Sequence, residues 1–126
     1  MLALALPAAA QDAVTPPPIV AYTITDGRMI AQSLTGEPGD PRRGKGLFAS
    51  AGCDTCHGGW PVPGAALADG EIRLWIVAPQ VLAPDTAMPP AYAPGQRDGA
   101  SDPLHGGPKL TAEQIEHIVA YLAAGG

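Results

Sequence analysis

The stretch Cys53-Asp54-Thr55-Cys56-His57 constrains this chain more than any other. Two thiols three positions apart sit one turn apart on a helix, where they can form thioethers with the two vinyl groups on one porphyrin edge. A histidine directly after the second cysteine is then held under the iron. The pattern therefore reads as one covalent haem c on Cys53 and Cys56, with His57 as proximal ligand. The chain has no other cysteine. A disulfide framework or a zinc site would need further Cys or His at paired spacing. A thioredoxin-like C-x-x-C belongs in an α/β pattern and has no use for the histidine.

Composition points the same way. The 126 residues include 16 glycines and 15 prolines, with 15% charged and 5% aromatic residues. That length suits one modest domain. A chain so loop-rich has few large side chains to bury, and a haem supplies the missing apolar surface for short helices to pack around. The formal charge is −5 and no basic stripe is present, which argues against nucleic acid and anionic membrane surfaces as partners.

The chain divides into three expected parts. Residues 1–11, MLALALPAAAQ, resemble the apolar region and small-residue cleavage zone of an export signal, a signal-peptide remnant with Ala8-Ala9-Ala10 as the processing zone. It is too short to span a membrane, so a periplasmic protein without a span in its mature form is expected. Residues 12–39 form an extended N-terminal arm. Pro16-Pro17-Pro18 keeps it irregular or polyproline-like, and Asp26-Gly27 suits a type I′ turn, hence a short β-hairpin packed on the haem domain or on a partner. Residues 40–126 form the monohaem domain.

In that domain Asp40 is the expected cap and Pro41 the first residue of a helix carrying Gly44, Leu47 and Phe48 and ending at Gly52. A second helix follows Asp69, with Ile72, Leu74, Trp75, Ile76 and Val77 apolar and Pro79 limiting its length. In the third, Thr111 and Gln114 make a capping box, and Leu110 and Ile115 are spaced as a hydrophobic staple. Ile115, Ile118, Val119 and Leu122 form its apolar stripe, with Glu113, Glu116 and His117 expected on the solvated side. The order helix, haem motif, helix, long loop, helix is that of a small all-α cytochrome c.

Met88, in Pro84-Asp85-Thr86-Ala87-Met88-Pro89-Pro90, is the candidate distal ligand. A thioether is soft and neutral, suits ferrous iron and raises the reduction potential relative to a second histidine. The flanking prolines pre-position it, and a core-filling methionine is the competing reading. Met29 reads as packing, His105 as an exposed loop residue, and Trp60 and Trp75 as core aromatics near the porphyrin. Arg73 is either a propionate partner or an ordinary surface arginine.

Gly44, Phe48, Ile118 and Tyr121 look like the terminal-helix contact of class I cytochromes c. The segments Leu34-Thr35-Gly36-Glu37-Pro38-Gly39-Asp40, Ile72-Arg73-Leu74-Trp75-Ile76-Val77 and Pro84–Pro90 make the chain similar to the X subunit of the Sox thiosulfate-oxidising system. The resemblance implies a class I fold and one haem with His57 and Met88 as axial ligands. It further implies a heterodimer with a larger haem-containing A subunit. In that family the pair joins thiosulfate oxidatively to a cysteine on a carrier protein (an L-cysteine S-thiosulfotransferase), and the chemistry sits on the A subunit. The X subunit takes up electrons and passes them to a small acceptor, so this chain is not expected to be catalytic alone. One departure stands out. Family members carry a longer segment after the haem histidine, with a proline carbonyl that orients the imidazole. Here only Gly58 to Gly70 intervene, and Pro61 and Pro63 are the candidates for that carbonyl. The rival readings are a free periplasmic electron shuttle and a haem sensor whose Met88 is displaced by a gas. Carbon monoxide binding to the reduced protein separates the sensor.

Overall fold

A computed structural model describes residues 21–58, 64–92 and 110–125; the expected signal remnant and Trp60, Pro61, Pro63 and His105 lie outside these. Asp40 opens the first helix, α1 (Pro41–Ser50), as expected. Its carboxylate accepts from the Arg42 N–H at 2.9 Å, and Pro41 fills the first turn, where a missing N–H costs nothing. Ala51 ends α1, and Gly52, at φ +83°, turns the chain straight into the short helix α2 (Cys53–His57). That left-handed backbone is open to glycine without strain, which places the motif helix at once beside α1.

A 3-10 turn (Gly64–Ala66) leads to α3 (Asp69–Val77), where Glu71 Oε1 accepts from the Ala68 N–H at 3.2 Å and ties down the first turn. Pro79 limits α3, as expected, but it also starts α4 (Pro79–Leu82), since proline favours the first helical position. α5 (Ala112–Ala123) carries both halves of the capping box: Gln114 N–H donates to Thr111 Oγ1 at 3.1 Å, and Thr111 N–H donates to Gln114 Oε1 at 2.9 Å.

The described residues hold helices and no strand, in agreement with the small cytochrome c fold expected from the sequence. The expected hairpin narrows to a single antiparallel bridge between Thr25 and Met29. Its turn is the anticipated one, with φ +55° at Asp26 and +66° at Gly27. Tyr22 and Ile24 pack against the core instead of extending a ladder.

α5 is the hub: α1, α3 and the 3-10 turn all pack on it. α1 comes closest at Gly44, where a methyl group would overlap the His117 carbonyl and stand 2.7 Å from Tyr121 Cβ. Between α3 and α5 lies the core, built from Ile72, Leu74, Val77, Ile115, Ile118 and Leu122, joined by Leu110 just before α5. Ile30 and Leu34, upstream of α1, belong to the same core. The Ile30 N–H donates to the Gly70 carbonyl at 3.0 Å, so this segment runs against the start of α3.

Three polar residues differ from expectation. Arg73 is buried inside the apolar run of α3 and is not a surface arginine: its Nε and Nη2 donate to Glu116 Oε2 and Oε1 at 2.7 and 2.9 Å. Glu116, expected on the solvated face of α5, is therefore buried too; both side chains are 4% exposed. The same pair holds the upstream segment, because Arg73 Nη1 donates to the Ile30 carbonyl at 2.6 Å and Leu34 N–H donates to Glu116 Oε2 at 3.0 Å. A buried charge is tolerable only when paired and hydrogen-bonded, and here the partners come from three segments: α3, α5 and the stretch before α1. His117, also expected in solvent, is largely covered by α1, and its Nδ1 accepts from the Asp40 N–H at 2.8 Å.

Candidate haem-attachment site

The two thiols and the imidazole ride on one element. α2 packs on α1, and its five residues bring Cys53, Cys56 and His57 within about one turn of each other. Neither cysteine is in a disulfide; Cys53 is half-buried and Cys56 exposed. Burial pushes the Cys53 thiol up, and the nearby Asp54 and Cys56 add to the shift, so it stays a neutral thiol. Among the described residues no three of His, Cys, Asp and Glu gather around a single point as the ligands of a bare ion would.

The imidazole of His57 is set by a row of rings. Phe48, on the last turn of α1, stands 6.2 Å from it, centroid to centroid, and 5.7 Å from Tyr121 of α5. The α1–α5 contact therefore reaches the His57 ring through one aromatic side chain. His57 Nδ1 is buried and finds no hydrogen-bond partner among the described residues. An iron-bound imidazole that ligates through Nε2 keeps its proton on Nδ1 and donates it to a nearby carbonyl. An enclosed, unpartnered Nδ1 is thus what this role leaves behind. Pro61 and Pro63, the candidates for that carbonyl, lie outside the described residues. Two thiols one turn apart, an adjacent imidazole with one enclosed nitrogen and a thioether on a separate loop make a donor set that fits a covalent haem.

Met88 lies in the loop after α4. Its N–H donates to Thr86 Oγ1 at 3.2 Å, and its carbonyl accepts from Gln80 Nε2 at 2.8 Å. Beyond it, Ala91 N–H donates to the Ile76 carbonyl and Leu110 N–H to the Ala91 carbonyl, each at 2.9 Å, so the loop is stitched between α3 and the approach to α5. Sequence reading missed Gln80, the Phe48–His57 contact and the Arg73–Glu116 pair. Only the last left a signal, a lone charge inside an otherwise apolar run. A groove of about 380 Å³ between α1 and α5, lined by Arg42, Arg43, Leu47, Gln114 and His117 among others, includes none of the four candidate haem-binding residues.

No protein-family model matches the sequence, and no curated protein matches it either. Among solved structures, a chain in the crystal structure of SoxXA from P. pantotrophus matches with a TM-score of 0.58 and 22% sequence identity, over 81% of this chain and 92% of that one. The protein is thus a small helical domain of cytochrome c type in its architecture. More particularly, its fold is that of a SoxXA chain, the fold to which the sequence resemblance pointed. No helix among the described residues is long and apolar enough to cross a membrane.

Proposed function

We propose that this chain is the monohaem electron-transfer subunit of a periplasmic, SoxXA-type thiosulfate-oxidising complex, not catalytic by itself. The observation that carries the reading is a C-x-x-C-H motif on one short helix, set beside the α1–α5 contact in a fold shared with a SoxXA chain. Cys53 and Cys56 would tether the haem, and His57 and Met88 would be the ligands to its iron. When bound, the haem supplies a one-electron iron couple whose potential the neutral thioether of Met88 raises.

What remains for the protein is positioning. Phe48 stands beside the imidazole, and Gln80 and Thr86 hold the backbone that carries the Met88 sulfur, so both groups would start from anchored positions. In this reading residues 1–11 are an export-signal remnant, residues 12–39 an arm that lends Ile30 and Leu34 to the core, and residues 40–126 the haem domain. The partner is a larger A-type haem subunit, which acts on a carrier protein's cysteine and delivers electrons here for a small acceptor.

The test is co-purification. The tagged, haem-loaded chain is recovered from the periplasm of its thiosulfate-grown source, and the recovered proteins are stained for haem. A stoichiometric second haem protein, with reduction of the pair by thiosulfate and a carrier protein, is expected. Recovery of a redox-active chain alone would replace this reading with a free electron shuttle.

A further inference from the structure

The loop that carries Met88 is poor in internal hydrogen bonding. Pro84, Pro89 and Pro90 have no N–H to give, so its carbonyls depend on donors from elsewhere. For the carbonyls on either side of Ala87, one side chain supplies them. Gln80 Nε2 donates to the Met88 carbonyl at 2.8 Å and to the Thr86 carbonyl at 3.2 Å. An amide NH2 has two protons, one for each oxygen. Both partners being carbonyls also fixes which end of the amide faces the loop, because its oxygen there would meet two acceptors.

Gln80 is itself well anchored. It is the second residue of α4, whose first residue, Pro79, is buried, and the Ala78 N–H just before it donates to the Leu74 carbonyl at 2.9 Å. The side chain therefore connects the backbone of Met88 to α3 and the core, across eight residues of sequence. Thr86 Oγ1 takes up the Met88 N–H, so both polar groups of the Met88 backbone are held and its side chain is aimed from a fixed base.

We propose that Gln80 is the positioning residue that keeps Met88 on the iron: its two hydrogen bonds set the barrier against the loop swinging the sulfur away. The proposal rests on Met88 being the distal ligand. Potential and spectrum of the resting protein are then governed by the sulfur, whereas the rate at which a foreign ligand displaces it is governed by Gln80.

The test uses oxidised, haem-loaded full-length protein mixed with saturating imidazole. Loss of the iron–thioether charge-transfer band follows the departure of Met88. Gln80→Glu keeps the shape but turns a donor toward two carbonyls into a carboxylate, so displacement should speed up by about tenfold or more. Gln80→Lys, whose ammonium can still donate, should stay near the wild-type rate, and Thr86→Val should fall between. The urea midpoint of each variant is measured alongside. A displacement rate within about twofold of wild type in Gln80→Glu overturns the proposal. So does an acceleration matched by an equal rise in the unfolding constant, because exchange would then proceed through general loosening of the fold. Should Gln80→Glu yield no holoprotein, Gln80→Ala and Thr86→Val are judged by the same criteria. Met88→Ala separates the two levels. A retained charge-transfer band removes the ligand reading and the proposal with it. A lost band with unaltered Gln80→Glu kinetics removes the proposal alone.

Discussion

Replacing Arg73 with methionine should be among the most damaging single changes in the protein. Arg73 and Glu116 are each 4% exposed and share two hydrogen bonds at 2.7 and 2.9 Å. In Arg73→Met the Glu116 carboxylate stays buried with the Leu34 N–H as its remaining donor among the described residues, and the Ile30 carbonyl loses a 2.6 Å bond. Breaking a buried pair from one side costs about 3–5 kcal/mol. Against the about 5–15 kcal/mol that holds a domain together, this is a fifth or more of the total. With a urea dependence of about 2 kcal/mol per molar, the unfolding midpoint should fall by roughly 1.5–2.5 M. The assay is urea unfolding of the haem-loaded protein followed by circular dichroism, for wild type, Arg73→Met, Glu116→Leu and the double variant. The double variant removes the stranded charge, though it still leaves the Ile30 carbonyl and the Leu34 N–H short of partners. It should therefore regain at least about 1 kcal/mol over Arg73→Met without reaching wild type. A double variant no more stable than Arg73→Met would refute the argument, for the cost would then lie in lost packing and not in an unpaired charge.

Met88→Ala should leave the haem covalently attached while the potential drops and the oxidised spectrum loses its thioether signature; an unchanged spectrum would assign the ligand elsewhere. Gly44→Ala gains about 1 kcal/mol of helix propensity but drives a methyl group into the α5 backbone, for a net loss of about 1–2 kcal/mol, and thermal unfolding at or above the wild-type midpoint would contradict the close approach. Burial raises the Cys53 thiol, so the folded apoprotein favours its neutral form. That contribution to stability is complete below the ordinary thiol range and is lost as pH rises through the raised value. Iodoacetamide should accordingly modify exposed Cys56 before Cys53 at neutral pH, with the gap narrowing in alkali, and peptide mapping that found equal rates at neutral pH would count against it.

Helix boundaries were the most legible part of the sequence, because caps act locally. Asp40-Pro41 and the Thr111–Gln114 box specify helix starts from two and four residues, and both are found in place. The apolar stripe of α5 was equally plain. Periodicity cannot say, however, which polar residues a neighbouring element will cover. Glu116 and His117 sit beside the stripe, and only the arrival of Arg73 from α3 and Asp40 from α1 takes them out of solvent. Arg73 itself carried a clue in its apolar surroundings, but not its partner, which lies 43 residues away. Within the motif the spacing gave the thiols and the imidazole, while the ring contact through Phe48 depends on α1 and α5 meeting at Gly44. Gln80 had no sequence signal, since a glutamine on a four-residue helix looks like any surface glutamine.

The joining of Leu34 to Glu116, 82 positions apart, also orders events in time. A ribosome delivers residues 30–58 long before residues 112–123, and α1, α3 and the upstream segment all have their landing place on that later helix. Until it emerges, the nascent chain has nothing to close around, and long-range closure of this kind is slow. α1, and with it the α2 that packs on α1, consequently stays undocked until α5 has been made. The topology holds the fold open until residues 112–123 have emerged.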